Sequence, residues 1–107
     1  MPQIRPDFTG QTVITTFDVT PGTAHDLLDA LTDAWAQVIS KQPGFLGGAV
    51  HLNDAQTRIA TYSQWRDRRD YQAMLRSAEM RERNRVIHSM CRHFEPVMYE
   101  VIDTWQR

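Results

Sequence analysis

Thr57-Arg58-Ile59-Ala60-Thr61-Tyr62-Ser63-Gln64-Trp65, continuing as Arg66-Asp67-Arg68-Arg69-Asp70-Tyr71, is the stretch that decides the fold. Its first half alternates and reads as a strand, with Ile59, Thr61, Ser63 and Trp65 on one face and Ala60, Tyr62 and Gln64 on the other. The second half turns abruptly charged and helical in character, with Asp67 placed to cap or begin a helix. A large aromatic, Trp65, therefore ends a strand where a helix starts, and Tyr71 falls on the first turns of that helix.

Working back from this stretch, Phe45 to Leu52 reads as the preceding strand, with Phe45, Gly47, Ala49 and His51 expected on one face. Asn53-Asp54-Ala55-Gln56 has the chemistry of a hairpin turn joining the two strands. Before them, Ala24 to Ser40 carries Ala24, Leu27, Leu28, Leu31, Ala34, Trp35 and Val38 at the spacing of a helix lying on a sheet. Gln42-Pro43-Gly44 stops it. Gln11 to Val19 alternates as a first strand, with Val13, Thr15, Phe17 and Val19 on one face, and residues 1–10 read as a loose arm.

Working forward, the pattern predicts a helix from Asp67 to about Cys91, with any break near Asn84 and with Tyr71, Met74, Leu75, Ala78 and Arg81 on one side. Glu95-Pro96 reads as a break and Val97 to Trp105 as a fourth strand. The order β-α-β-β-α-β over one domain, residues 1–107, is that of an α+β ferredoxin-like fold: one antiparallel sheet with both helices on one face. Phe17, Phe45, Trp65 and Tyr99 cannot all lie under the helices, so the other face needs a cover. A second copy packed sheet to sheet, a homodimer, supplies it most simply.

The 12 basic and 13 acidic residues nearly cancel, so overall charge points to neither nucleic acid nor a membrane surface. No apolar run is long enough to span a bilayer, and Met1 to Pro6 lacks the apolar core of a secretory signal. With the single cysteine, Cys91, excluding an internal disulfide, the expectation is a soluble cytoplasmic protein. No Gly-rich strand-to-helix loop suggests a flavin, nicotinamide or phosphate site. His25, His51, His88, His93 and Cys91 do not fall at the spacing of a closed zinc site.

At Pro43-Gly44-Phe45, Tyr62-Ser63-Gln64-Trp65 and Tyr71 the chain resembles the antibiotic biosynthesis monooxygenase (ABM) superfamily, above all its cofactor-free quinone-forming members. The resemblance runs from Gln11 to Trp105 and implies a dimeric α+β barrel. It also implies oxidation of an aromatic polyketide, of anthrone or phenol type, to a quinone with O2 as co-substrate and no cofactor or metal. In anthrone-oxidising members the functional residues match Trp65 and Tyr71 here. An asparagine of the family is replaced by Thr61, and an arginine of the second helix is matched to Arg81, with Arg76 and Arg85 as alternatives.

Trp65 then offers an indole N–H and a flat wall, Tyr71 a hydroxyl, and Arg81 a permanent charge for a phenolate or enolate. Thr61 and His51 are subsidiary substrate contacts, His51 being either a pocket base or a strand histidine at the hairpin end. Trp65 has an equally simple reading as a core aromatic, Tyr71 as a staple of helix to sheet, and the arginine-rich helix as a solvated face. An aromatic polyketide cyclase and a non-catalytic ligand-binding domain are the alternatives on the same dimeric fold. Haem degradation ranks lower, because those members use a second-helix histidine near the tryptophan and this helix has none before His88.

Overall fold

A computed structural model describes residues 9–105 and 107, so most of the expected N-terminal arm lies outside the described residues. Strand β1 (Gln11–Asp18) is followed by helix α1 (Pro21–Gln37) and a 3-10 turn, Ile39–Lys41. Strands β2 (Phe45–Leu52) and β3 (Arg58–Trp65) form the hairpin. Helices α2 (Arg68–Arg76) and α3 (Ala78–Ser89) then lead to β4 (His93–Tyr99). The sheet is antiparallel in the order β2-β3-β1-β4, which is the expected ferredoxin-like α+β arrangement.

The alternation read in β1 and β3 sets the core. Val13, Phe17, Ile59 and Trp65 turn toward the helices and are buried with Ala24, Leu27, Leu31 and Ala34 of α1. Tyr71 and Met74 of α2, with Met80 and Ile87 of α3, close the layer. Three positions depart from the sequence pattern, each for an identifiable physical reason.

The long second helix breaks at Ser77, not near Asn84. The Ser77 hydroxyl donates to the Met74 carbonyl at 2.8 Å and accepts from the Met80 N–H at 3.2 Å. One side chain thus ends α2 and caps α3, offering the backbone an alternative to a continuous helix. The break resets the helical phase. Met80, Asn84 and Ile87 turn inward, and Arg81 is left exposed.

In β2 the register shifts between Phe45 and Gly47. Phe45 pairs with Trp65 on the covered face, whereas Gly47, Ala49 and His51 pair with Gln64, Tyr62 and Ala60 on the opposite one. The expectation that Phe45 shares a face with His51 therefore fails, because a bulge consumes one residue of the alternation.

The fourth strand runs His93–Tyr99 in place of Val97 to Trp105. Thr12 already faces Tyr99, so β1 has almost no residues left to pair beyond that point. Pro96 sits opposite Thr15 within the strand. It is tolerated because β4 is an edge and a missing N–H there interrupts only one ladder.

The Pro43-Gly44-Phe45 turn ties the hairpin to the second helical region. Gly44 has φ +84°, and a Cβ there would overlap the Asp70 side chain. Its carbonyl accepts from the Arg66 N–H at 2.7 Å. Asp70 in turn pairs with Arg66 (3.0 Å), while the Asp67 carboxylate caps α2 by accepting from Arg69 N–H at 2.7 Å. The turn out of Trp65 is thus fixed from three sides, and so is the direction of α2.

Candidate functional site

Between the sheet and the helices lies a cavity of about 250 Å³. Its floor comes from alternate residues of the central strands, Val13, Thr15 and Phe17 of β1 and Thr61, Ser63 and Trp65 of β3. Leu31 and Trp35 of α1, Tyr71 and Met74 of α2, and Met80, Asn84, Ile87 and His88 of α3 form its walls, with Phe94 and Pro96 of β4. Leu75, His88 and Pro96 are exposed and mark the mouth, whereas Trp65 and Ile87 are deeply buried. The lining is mostly apolar, with a few polar groups converging on one space, as in small-molecule sites generally. No Asp, Glu, Lys or Arg side chain lines it among the described residues.

The aromatic wall is a continuous edge-to-face series. Trp35 meets Phe45 at 5.9 Å, Phe45 meets Trp65 at 5.4 Å, and Trp65 meets Tyr71 at 5.8 Å, measured between ring centroids. Such pairs favour crossed over sandwiched rings, which fixes each ring by its neighbours. Gly48 makes room for the first of them, since a Cβ there would overlap Trp35.

Trp65, Tyr71 and Thr61 come together at this cavity, as expected; Arg81 and His51 do not. Arg81 is exposed because the Ser77 break rotates it off the inward face of α3. Neither alternative arginine lines the cavity. Arg76 is exposed and Arg85 is ion-paired to Glu82. His51 is exposed on the opposite face of the sheet, a consequence of the β2 bulge.

The Trp65 indole N–H does not point freely into the cavity. It donates to the Ser63 hydroxyl at 3.0 Å, and both side chains are buried. With its oxygen accepting from Trp65, the Ser63 hydroxyl keeps its own proton for another acceptor. Strand alternation alone singles out Ser63, since it lies between Thr61 and Trp65 on the same face. Asn84 and His88 were not legible, because their facing depends on where α3 starts.

Burial raises the Tyr71 hydroxyl above its ordinary 10, so at neutral pH it is a proton donor. Partial burial lowers the His88 imidazole below its ordinary 6.5, so at neutral pH it is uncharged and has a nitrogen able to accept. The His88 ring stacks on Phe94 with centroids 3.8 Å apart and planes 12° from parallel. Among the described residues no three His, Cys, Asp or Glu side chains cluster so as to hold a metal ion.

A four-stranded ferredoxin-like sheet roofed by helices over an apolar, aromatic-walled cavity defines an α+β domain with an internal space lined like a small-molecule site. Residues 11–85 match the family described as antibiotic biosynthesis monooxygenase, and the chain belongs to that family. No curated protein matches the sequence. Among solved structures, a point mutant of SnoaB from Streptomyces nogalater, described as a cofactor-independent oxygenase, superposes with a TM-score of 0.80 at 15% identity, over 91% of this chain and 97% of that one. The monooxygenase from the gene ActVA-Orf6 of Streptomyces coelicolor, in complex with the ligand nanaomycin D, gives 0.76 at 26% identity over 92% of each chain. A putative antibiotic biosynthesis monooxygenase from Nitrosomonas europaea gives 0.77 at 19% identity, over 89% of this chain and 94% of that one.

Proposed function

We propose that this protein is a cofactor-independent monooxygenase that oxidises an electron-rich aromatic polyketide, of anthrone or phenol type, to a quinone. The observation that carries this reading is the convergence of Trp65, Tyr71 and the Ser63 and Thr61 hydroxyls on one apolar, uncharged cavity. A substrate of this kind serves as its own reductant. Loss of one proton leaves a carbanion that passes an electron to O2. The two radicals join as a peroxide anion, which takes back a proton and then loses water. In sum, a ring CH2 and O2 become C=O and H2O. The cavity contributes a dry setting in which fixed donors act strongly on developing negative charge.

In this reading Trp65 is a wall that holds the substrate plane and polarises Ser63 rather than a direct donor. Ser63, Thr61 and Tyr71 supply the hydroxyls facing substrate oxygens. The role expected of Arg81 passes to these neutral donors, which carry no desolvation penalty for a buried charge. The nanaomycin D bound to the ActVA-Orf6 monooxygenase supports a polyketide of similar kind as the ligand here.

A homodimer completes the proposal. The sheet face away from the helices carries Ala49, Tyr62, Ile14 and Val97 in one row across all four strands. The Tyr62 hydroxyl in that row is buried without a hydrogen-bond partner among the described residues.

The test is O2 uptake by metal-free, flavin-free protein supplied with an anthrone. Uptake above the uncatalysed rate, with quinone absorbance rising in step, is the expected result. Saturable quenching of tryptophan fluorescence without uptake would replace the oxygenase by a cyclase or binding protein on the same scaffold.

A further inference from the structure

We propose that His88, at the mouth of the cavity, is the catalytic base that takes the proton from the bound aromatic, with Asn84 one turn earlier on α3 positioning the substrate beside it. The inference rests on the oxygenase reading and adds to it the group that starts the reaction.

Cavity geometry leaves few alternatives. Deprotonating a ring carbon or phenol requires a group that is uncharged or anionic at working pH and can reach the substrate. The cavity-facing side chains of α1, β1, β3 and β4 carry no ionisable group. Tyr71 of α2 and His88 of α3 are the two titratable side chains of the lining. Tyr71 is held protonated by burial and so serves as a donor. His88 alone among them is free of its proton at neutral pH.

Position favours His88 as well. Trp65 and Tyr71 lie deep, where a captured proton has no exit, but His88 is exposed on one side and can return its proton to water between turnovers. Its ring is held flat against Phe94, another residue of the lining, which limits its rotation. Two ionisable groups close to His88 along the chain are already engaged. Arg85 is paired with Glu82, and the Cys91 thiol donates to the His88 carbonyl at 3.8 Å. Asn84, at i, i+4 from His88, presents an amide to the same space and makes no side-chain hydrogen bond among the described residues.

The step balances simply. A C–H or O–H bond of the substrate breaks, an N–H bond forms on the imidazole, and the electron pair stays on the substrate as the anion. O2, the co-substrate, then oxidises that anion.

His88→Gln, His88→Ala and the unaltered protein are compared with an anthrone in two settings. Under nitrogen, the bound substrate's absorbance is followed from pH 5 to 8. The unaltered protein is expected to generate the anion's absorption, rising with pH around a midpoint below 6.5, as His88 loses its proton. His88→Gln is expected to bind, by tryptophan quenching, without forming the anion. In air, turnover is expected to fall by about 100-fold or more, the usual contribution of a general base, and the acid limb of its pH profile to vanish. Free imidazole is expected to restore part of the rate to His88→Ala, because the mouth admits it.

Unchanged rate and pH profile in His88→Gln would overturn the assignment while leaving the oxygenase reading intact. Anion formation without O2 uptake in the unaltered protein would keep His88 as a base and remove the oxygenase reading. Neither anion nor uptake in the unaltered protein would overturn both. An equal loss in both variants with no imidazole rescue and an unshifted pH profile would make His88 a packing residue.

Discussion

The hydrogen bond between the Trp65 indole and Ser63 permits a quantitative test of how the site is built. Nε1 and Oγ lie 3.0 Å apart, and both residues are buried, Trp65 completely. Ser63→Ala removes the acceptor and leaves a buried N–H unpaired, which is expected to cost about 1–3 kcal/mol. Trp65→Phe removes the donor and also part of the ring that packs against Phe45 and Tyr71. In the Trp65→Phe background, Ser63→Ala orphans no indole N–H, so its cost is expected to fall below about 0.5 kcal/mol, close to a neutral substitution. The coupling energy of the pair is then on the order of 1–2 kcal/mol. Urea unfolding of the four proteins measures it, at one fixed protein concentration because association would add to the apparent stability. Heating provides a second reading, at roughly 4–8 °C per kcal/mol for a domain of about 100 residues. Equal costs of Ser63→Ala in both backgrounds would refute the reasoning. The indole N–H would then be satisfied elsewhere, and its use as a direct donor to substrate would return.

The same geometry sets three further outcomes. Gly44→Ala forces a left-handed backbone on a residue with a Cβ and drives that Cβ into Asp70, so a loss of at least about 1–2 kcal/mol is expected; Asp70→Ala should relieve only part of the overlap, because the Asp70 Cβ itself lies 2.6 Å from the added atom, and should leave the backbone term, so full relief in the double variant would contradict both. Arg81→Ala is expected to change stability by no more than about 0.5 kcal/mol and turnover little, since the side chain is exposed and off the cavity; a large loss of turnover with intact folding would put the arginine back in the site. Burial raises the Tyr71 hydroxyl, so the unfolded chain ionises first as pH rises and binds fewer protons than the folded one. Stability is therefore expected to be unaffected by this group below pH 10 and to fall as pH climbs through the window above it. Tyr71→Phe should remove that part of the alkaline decline, leaving any due to Tyr62, which burial also raises; an identical alkaline slope in both proteins would contradict the burial argument.

Period-2 alternation in β1 and β3, and 3.6-residue spacing in α1, were enough to place Val13, Phe17, Thr61, Ser63 and Trp65 against the helices. These elements are long, and each residue's direction is set by its neighbours along the chain. Asp67 and the Pro43-Gly44 turn were equally legible, because capping and positive φ are demands that only a few residue types meet. Together they determined the fold, the strand–helix corner and the placement at the cavity of three of the five residues expected there.

Phase was decided by tertiary structure. A single-residue bulge after Phe45 moved His51 to the far face, and the cap at Ser77 turned Arg81 outward while bringing Asn84 and His88 to the cavity. A pattern that averages over many residues records the period of an element but is insensitive to one inserted residue or one broken turn. Beyond the bulge the side chains are directed by pairing with a neighbouring strand, and beyond Ser77 by one hydroxyl that competes with the helix for its backbone groups. The limits of β4 were likewise set by where β1 ends, a fact about its partner and not about its own residues. The chain by itself thus specified the scaffold and the aromatic wall, while packing specified which polar groups face the space within.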